Sequence, residues 1–161
     1  MSNKSYFEYR KSVDDLLEAL NVKFEASDMG HSCPPFCNDK NKPNPKSFPR
    51  KTHIHGKHYQ CIFSRDNKTF AVDFWESYAM AQSNALALTG RGRVQLPDAY
   101  TVLSCCQLND PGSFDDWCGD FGYDTDSRKA YTIYESCVKQ YKEAISFFTN
   151  SEIEKILELV S

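Results

Sequence analysis

The 161-residue sequence predicts an α+β fold, a small antiparallel sheet of about three strands packed against a helical C-terminal half. Three observations predict it. Apolar and polar residues alternate with period two over residues 22–26, 58–63 and 70–75, the pattern of strands with one buried face. The polar turn Arg65-Asp66-Asn67-Lys68 joins the second and third of these as a hairpin. From residue 97 onward apolar residues recur at spacings of three and four, the helical period.

Taken in order, Ser5 and Glu8 stand at capping-box spacing, and Val13, Leu16, Leu17 and Leu20 define a first helix over residues 5–20. Val22, Phe24 and Ala26 then alternate with Lys23 and Glu25 as a strand. From residue 28 to residue 52 the pattern vanishes, and five of the seven prolines fall there among Asn, Lys and Asp. The expectation is a long Pro/Lys/Cys/His-rich loop over 28–52, and loops of that length inside a domain usually carry function. Tyr59, Cys61 and Phe63, then Phe70, Val72 and Phe74, form the inward row of the hairpin. After a polar, glycine-containing passage (83–93), Pro97-Asp98 starts a short helix with Val102, Leu103 and Cys106. Asp110-Pro111-Gly112 breaks it, and Ser113 caps another that Gly122 stops. Asp126 is expected to cap the longest helix, which carries Ala130, Ile133, Tyr134, Cys137, Val138, Tyr141, Ala144, Ile145 and Phe148. Ser151 and Glu154 are expected to open the last. There is no internal repeat, and the length fits one domain, residues 1–161.

Composition narrows the class. With 40% hydrophobic and 14% aromatic residues the chain is too apolar for disorder, and no apolar run approaches the roughly 20 residues that span a bilayer. The first residues lack the apolar core of a signal peptide. Seven cysteines, an odd number with three at helical core spacing, argue for reduced thiols over a disulfide framework. The expectation is a cytoplasmic protein with no membrane partner.

Charge is uneven although the net value is only −3. Residues 39–68 carry eight Lys/Arg and two Asp, whereas residues 105–126 carry six Asp and no Lys or Arg. Carboxylates spread over a helical surface can imitate a phosphate backbone and occupy a basic nucleic-acid groove, which makes Asp110, Asp115, Asp116, Asp120 and Asp124 candidate partner-binding residues. Trp75 and Tyr78 join them as aromatics expected at the surface. The competing reading is that most of these aspartates serve caps and turns. The basic residues Lys40, Lys46, Arg50, Lys51, Lys57, Arg91 and Arg93 offer a second possibility, direct contact with a nucleic-acid backbone.

All four histidines and three cysteines fall within residues 31–61. Thiolate and imidazole are zinc ligands, so His31, Cys33, Cys37, His53 and His55 are candidate ligands for a metal that would order the loop. The spacing matches no standard zinc pattern, and His58 and Cys61 alternate onto opposite faces of their strand. Asp124, Asp126 and Glu135 stand at calcium-loop positions, but Arg128 and Lys129 occupy positions that need a ligand and a glycine, which excludes that site. With no Gly-x-Ser-x-Gly, no nucleotide-binding glycine pattern and no His-x-x-x-His pair, the expectation is a protein that is not an enzyme.

Residues 70–77 (FAVDFWES), 97–106 (PDAYTVLSCC) and above all 113–134 (SFDDWCGDFGYDTDSRKAYTIY) resemble a widespread group of small proteins encoded by phages, prophages and other mobile elements of bacteria. The resemblance covers roughly residues 54–160; the 28–52 loop is a departure from the group. What it implies is an anti-defence factor, such as an anti-CRISPR inhibitor, whose partner is a host protein or ribonucleoprotein complex. It supplies no active-site residues.

Overall fold

The computed structural model describes residues 6–32, 56–77 and 96–161. The chain divides into two compact units, Met1–Val102 and Leu103–Ser161. The first holds a helix and a three-stranded antiparallel sheet, and the described helices lie mostly in the C-terminal half, so the fold is α+β.

In the first unit, α1 (Tyr6–Ala19) buries Val13 and Leu17, one turn apart, and leaves Lys11 and Asp15 paired at 3.2 Å on its exposed side. Asn21 ends it in the left-handed region (φ 57°), and the Val22 amide bonds back to the Leu17 carbonyl at 2.9 Å. That reversal aims the chain into β1 (Lys23–Ser32), which pairs with β2 (Gly56–Arg65), which pairs with β3 (Lys68–Ser77). The register aligns Phe24, Phe63 and Phe70 in one row and Ala26, Cys61 and Val72 in the next. Phe63 sits 4.8 Å from Phe24 and 5.9 Å from Phe70 between ring centroids. Cross-strand pairs of this kind are the unit of sheet stability, and here they coincide with the buried face the alternation predicted. Asp66 and Asn67, both at positive φ (50° and 65°), make the two-residue loop whose twist suits a hairpin.

The strand prediction needs one correction. The loop expected from residue 28 starts later, because β1 continues to Ser32. A register shift between Asp28 and His31 lets the strand pass Gly30 and regain pairing with Lys57 and Gly56. Such a bulge breaks the period-two signal without ending the strand. The rest of the expected loop lies outside the described residues.

α2 (Ala99–Cys105) is capped by Asp98, whose Oδ1 accepts from the Thr101 amide at 3.0 Å and the Thr101 hydroxyl at 2.6 Å. Arg10 of α1 reaches the same group: it is only 5% exposed, forms an ion pair with Asp98, donates to the Thr101 hydroxyl at 3.0 Å and lies 5.2 Å over the Tyr100 ring. A buried charge is tolerated only when paired and hydrogen-bonded, and this one is both. Nearby, burial together with Asp98 and Asp15 raises the Asp14 carboxyl above its usual range, against the opposing pull of Arg10.

The second unit holds α3 (Phe114–Phe121), α4 (Arg128–Phe147) and α5 (Asn150–Val160). Two expected caps are corrected. Ser127, not Asp126, caps α4, its hydroxyl accepting from the Ala130 amide at 3.1 Å. The Asp126 amide instead bonds to Asp124 Oδ1 at 3.2 Å, which places the turn one residue early. The capping box of α5 is Thr149 with Glu152, reciprocal at 3.2 and 2.9 Å, rather than Ser151 with Glu154. Phe148, expected within α4, is instead its buried C-cap. Trp117, Cys118 and Ala130 form the core here, with Phe114, Tyr123, Ile133, Tyr134 and Cys137 packed around them.

Candidate functional site

The acidic stretch of the second unit is built on α3. Ser113 caps the helix by accepting from the Asp116 amide at 3.2 Å, and Gly122, in the left-handed region (φ 74°), closes it by bonding to the Cys118 carbonyl. Between these caps the helix is two-faced. Trp117 and Cys118 turn inward and are buried, whereas Asp115, Asp116 and Asp120 stay exposed. At 100° per residue those three carboxylates and Gly119 occupy one side, opposite Phe114, Trp117, Cys118 and Phe121.

Aromatic rings fix the inner side. Trp117 stacks on Tyr123 with centroids 5.0 Å apart and planes within 1°, and contacts Phe121 at 5.3 Å and Tyr134 at 5.7 Å. Phe114 meets Tyr131 edge-on at 5.2 Å and Tyr134 at 5.4 Å. The Tyr134 hydroxyl donates to the Gly112 carbonyl at 2.5 Å, which ties α4 to the turn before α3. Phe121 is 65% exposed and Tyr131 48%, so the aromatic cluster reaches the surface on the side away from the acids of α3.

The turns add the remaining acids. Asp110 Oδ1 accepts from the Gly112 amide at 2.9 Å, and Asp124 Oδ1 accepts from the Asp126 amide. All six aspartates from 110 to 126 are exposed, and among the described residues none of them belongs to an ion pair. The competing reading therefore explains part of the set. Asp110 and Asp124 brace turns, while Asp115 and Asp116 lie in the first turn of α3, where the helix dipole favours negative charge. Asp120 has no such role. It lies in the last turn, where the dipole disfavours a carboxylate, and among the described residues its side chain makes no hydrogen bond.

The thiols divide by environment. Burial raises the Cys118 thiol above its ordinary range, with the Asp115 and Asp124 carboxylates adding to the effect, and burial raises Cys137 as well. Cys61, fully buried on β2, is pushed up to about 12 by burial and then by Asp73. Cys105 is exposed, and none of the five described cysteines is in a disulfide. His58 sits on the face opposite Cys61, its Nε2 3.1 Å from Asp73, so the two do not converge.

Among the described residues no group of three or more His, Cys, Asp or Glu could hold a metal ion. The candidate ligands His31, Cys33, Cys37, His53 and His55 fall outside the residues whose side chains are described, as do Lys40, Lys46, Arg50, Lys51, Lys57, Arg91, Arg93, Trp75 and Tyr78. No described helix is long and apolar enough to cross a membrane. Sequence reasoning missed Arg10: its partner Thr101 lies 91 positions away, and no local period reports such a pair. No protein-family model, curated protein or solved structure matches the chain.

Proposed function

We propose that the chain is a non-enzymatic phage or mobile-element protein that binds and inhibits a host nucleic-acid-handling defence complex, of the CRISPR type, by presenting an acidic surface to a basic groove. The observation that carries this reading is the α3 face. Asp115, Asp116 and Asp120 are exposed on one side of an eight-residue helix, flanked by Asp110 and Asp124, and none is neutralised by a described cation. Carboxylates at such density interact with guanidinium and ammonium groups much as phosphates do, and the interaction weakens with salt. The biological setting is the part of this reading that rests on the sequence resemblance over residues 54–160 alone. Asp120 supports the interaction reading in particular, because the helix gains nothing from a carboxylate at that place.

The test is capture from host extract with the tagged chain and with an Asp115→Lys, Asp116→Lys, Asp120→Lys variant. The expected result is a partner released by rising salt, displaced by duplex nucleic acid and lost with the variant. Equal capture by both chains would sink the proposal.

A further inference from the structure

The sheet of the first unit has two open edges, because among the described residues β1 and β3 each pair on one side only, with β2 between them. The two edges are not alike. β1 is interrupted by the register shift between Asp28 and His31, and a bulge of that kind blunts an edge. β3 keeps unbroken register with β2 from Lys68 to Ser77 and contains no proline. A long edge without bulge or proline is a template for another strand. We infer that this edge of β3 is an interface with a second copy of the chain, the two β3 strands pairing antiparallel about a twofold axis at Ala71.

The hairpin fixes which groups face outward. Its two-residue loop makes Arg65 and Lys68 the hydrogen-bonded pair that closes it, and such pairs recur at every second residue. Phe70, Val72 and Phe74 therefore direct their amides and carbonyls to β2, and Thr69, Ala71 and Asp73 turn theirs to the open edge. The side chains of these last three are exposed on the solvent face, whereas those of Phe70, Val72 and Phe74 are buried. Among the described residues no backbone hydrogen bond from outside the sheet reaches Thr69, Ala71 or Asp73.

Self-complementarity points to a second copy as the occupant. Antiparallel pairing must join outward residues to outward residues, which leaves few registers. With the axis at Asp73 two carboxylates would lie face to face. With the axis at Val72 each Asp73 would face the partner's Ala71, which offers it no donor. With the axis at Ala71 a small side chain meets its own copy, and Thr69 stands opposite the partner's Asp73 twice over. A threonine hydroxyl donates well to a carboxylate, and Asp73 is 66% exposed; His58 Nε2 lies 3.1 Å from its Oδ1, which leaves Oδ2 as an acceptor. On the other face Phe70 stands opposite the partner's Val72, so the apolar row of the sheet continues across the axis. The contact adds about six main-chain hydrogen bonds and is smaller than a standard interface, so the dimer is weak and concentration-dependent. A twofold contact uses the same edge on both copies and closes there, so it does not propagate.

The experiment is sedimentation velocity of the full chain over a concentration series, with hydrogen exchange read amide by amide at both ends of the series. The expected result is a monomer–dimer equilibrium in which the amides of Thr69, Ala71 and Asp73 exchange freely in the monomer and become protected in the dimer. Those of Phe70, Val72 and Phe74 should be protected in both. Thr69→Asp sets a carboxylate opposite the partner's Asp73 twice and should weaken the dimer about tenfold, whereas Thr69→Lys sets a cation there and should tighten it about fivefold. Thr69 is exposed, so both variants should keep the fold, which an unchanged far-ultraviolet circular dichroism spectrum checks. The inference is overturned if the chain stays monomeric throughout, or if the dimer forms without responding to either Thr69 variant. It is overturned equally if the three outward amides are protected in the monomer, since another segment of the same chain then covers the edge. The triple aspartate variant should dimerise as before, so the two proposals succeed or fail separately.

Discussion

The two units keep their shape by different means. The sheet unit relies on pairing between distant segments, with aromatic rows stacked across three strands and a buried arginine clamped to a helix cap. The helical unit relies on local closures: Ser113, Gly122, Ser127 and the Thr149–Glu152 box each satisfy a helix end within three or four residues. Their charge differs too. The hairpin end of the first gathers lysine and arginine, and α3 of the second gathers aspartate. Long-range pairing makes the first unit sensitive to single deletions in its core, whereas stability in the second is distributed over several contributions of about 1 kcal/mol each.

The largest expected effect tests the sheet. Phe63→Ala removes the ring between Phe24 and Phe70 and should cost about 3 to 5 kcal/mol, read as a lower denaturation midpoint. Hydrogen exchange should show the loss of protection concentrated in β1, β2 and β3; an even loss over both units would break the contrast. Next is the clamp. Asp98→Ala leaves Arg10 buried without its carboxylate and should cost about 3 kcal/mol. Asp98→Asn, which keeps an acceptor for the Thr101 amide, should cost less, and equal costs would show that the ion pair with Arg10 carries the whole effect and the cap none.

The local closures come third. Ser113→Ala and Thr149→Ala should each cost about 1 kcal/mol, with protection falling mainly in α3 and α5 respectively. A loss spreading through the sheet would show that these caps do not act locally. The smallest effect is the most informative for function. Asp120→Lys places a cation at the C-terminal end of α3 and should change stability by no more than about 0.5 kcal/mol, in the favourable direction. Its capture of a basic partner should nevertheless fall. A variant with lower stability and unchanged capture would remove Asp120 from the proposed surface.

Alkaline pH offers a separate handle on the sheet. The Cys61 thiol has an ordinary value near 9 and is pushed up to about 12 in the folded chain. The folded state therefore holds a proton that the unfolded state releases. Its contribution is complete below about 9 and is lost as pH rises through about 12. Stability should fall between those limits, and Cys61→Val, which cannot ionise, should flatten that part of the profile in a denaturation series. Cys118 and Cys137 shift in the same direction, so a residual slope is expected.

Local periodicity determined a good deal. The inward row Tyr59, Cys61, Phe63, Phe70, Val72 and Phe74 was legible because side chains alternate strictly along a strand, and all six are buried. The Asp66-Asn67 turn and the Ser113 and Gly122 caps were legible because each is encoded within four residues, and the acidic character of residues 105–126 because charge is read directly from residue type. Tertiary structure decided the rest. At residues 126–127 and 149–152 neighbouring side chains were all competent to cap, and the choice followed from which of them packing could enclose; Glu152 and Ile153 are buried, while Ser151 and Glu154 are exposed. The continuation of β1 past Asp28 depended on pairing with Gly56 and Lys57. The Arg10 clamp joins residues that only the folded chain brings together. Such contacts depend on distance in space, and a sequence records only distance along the chain.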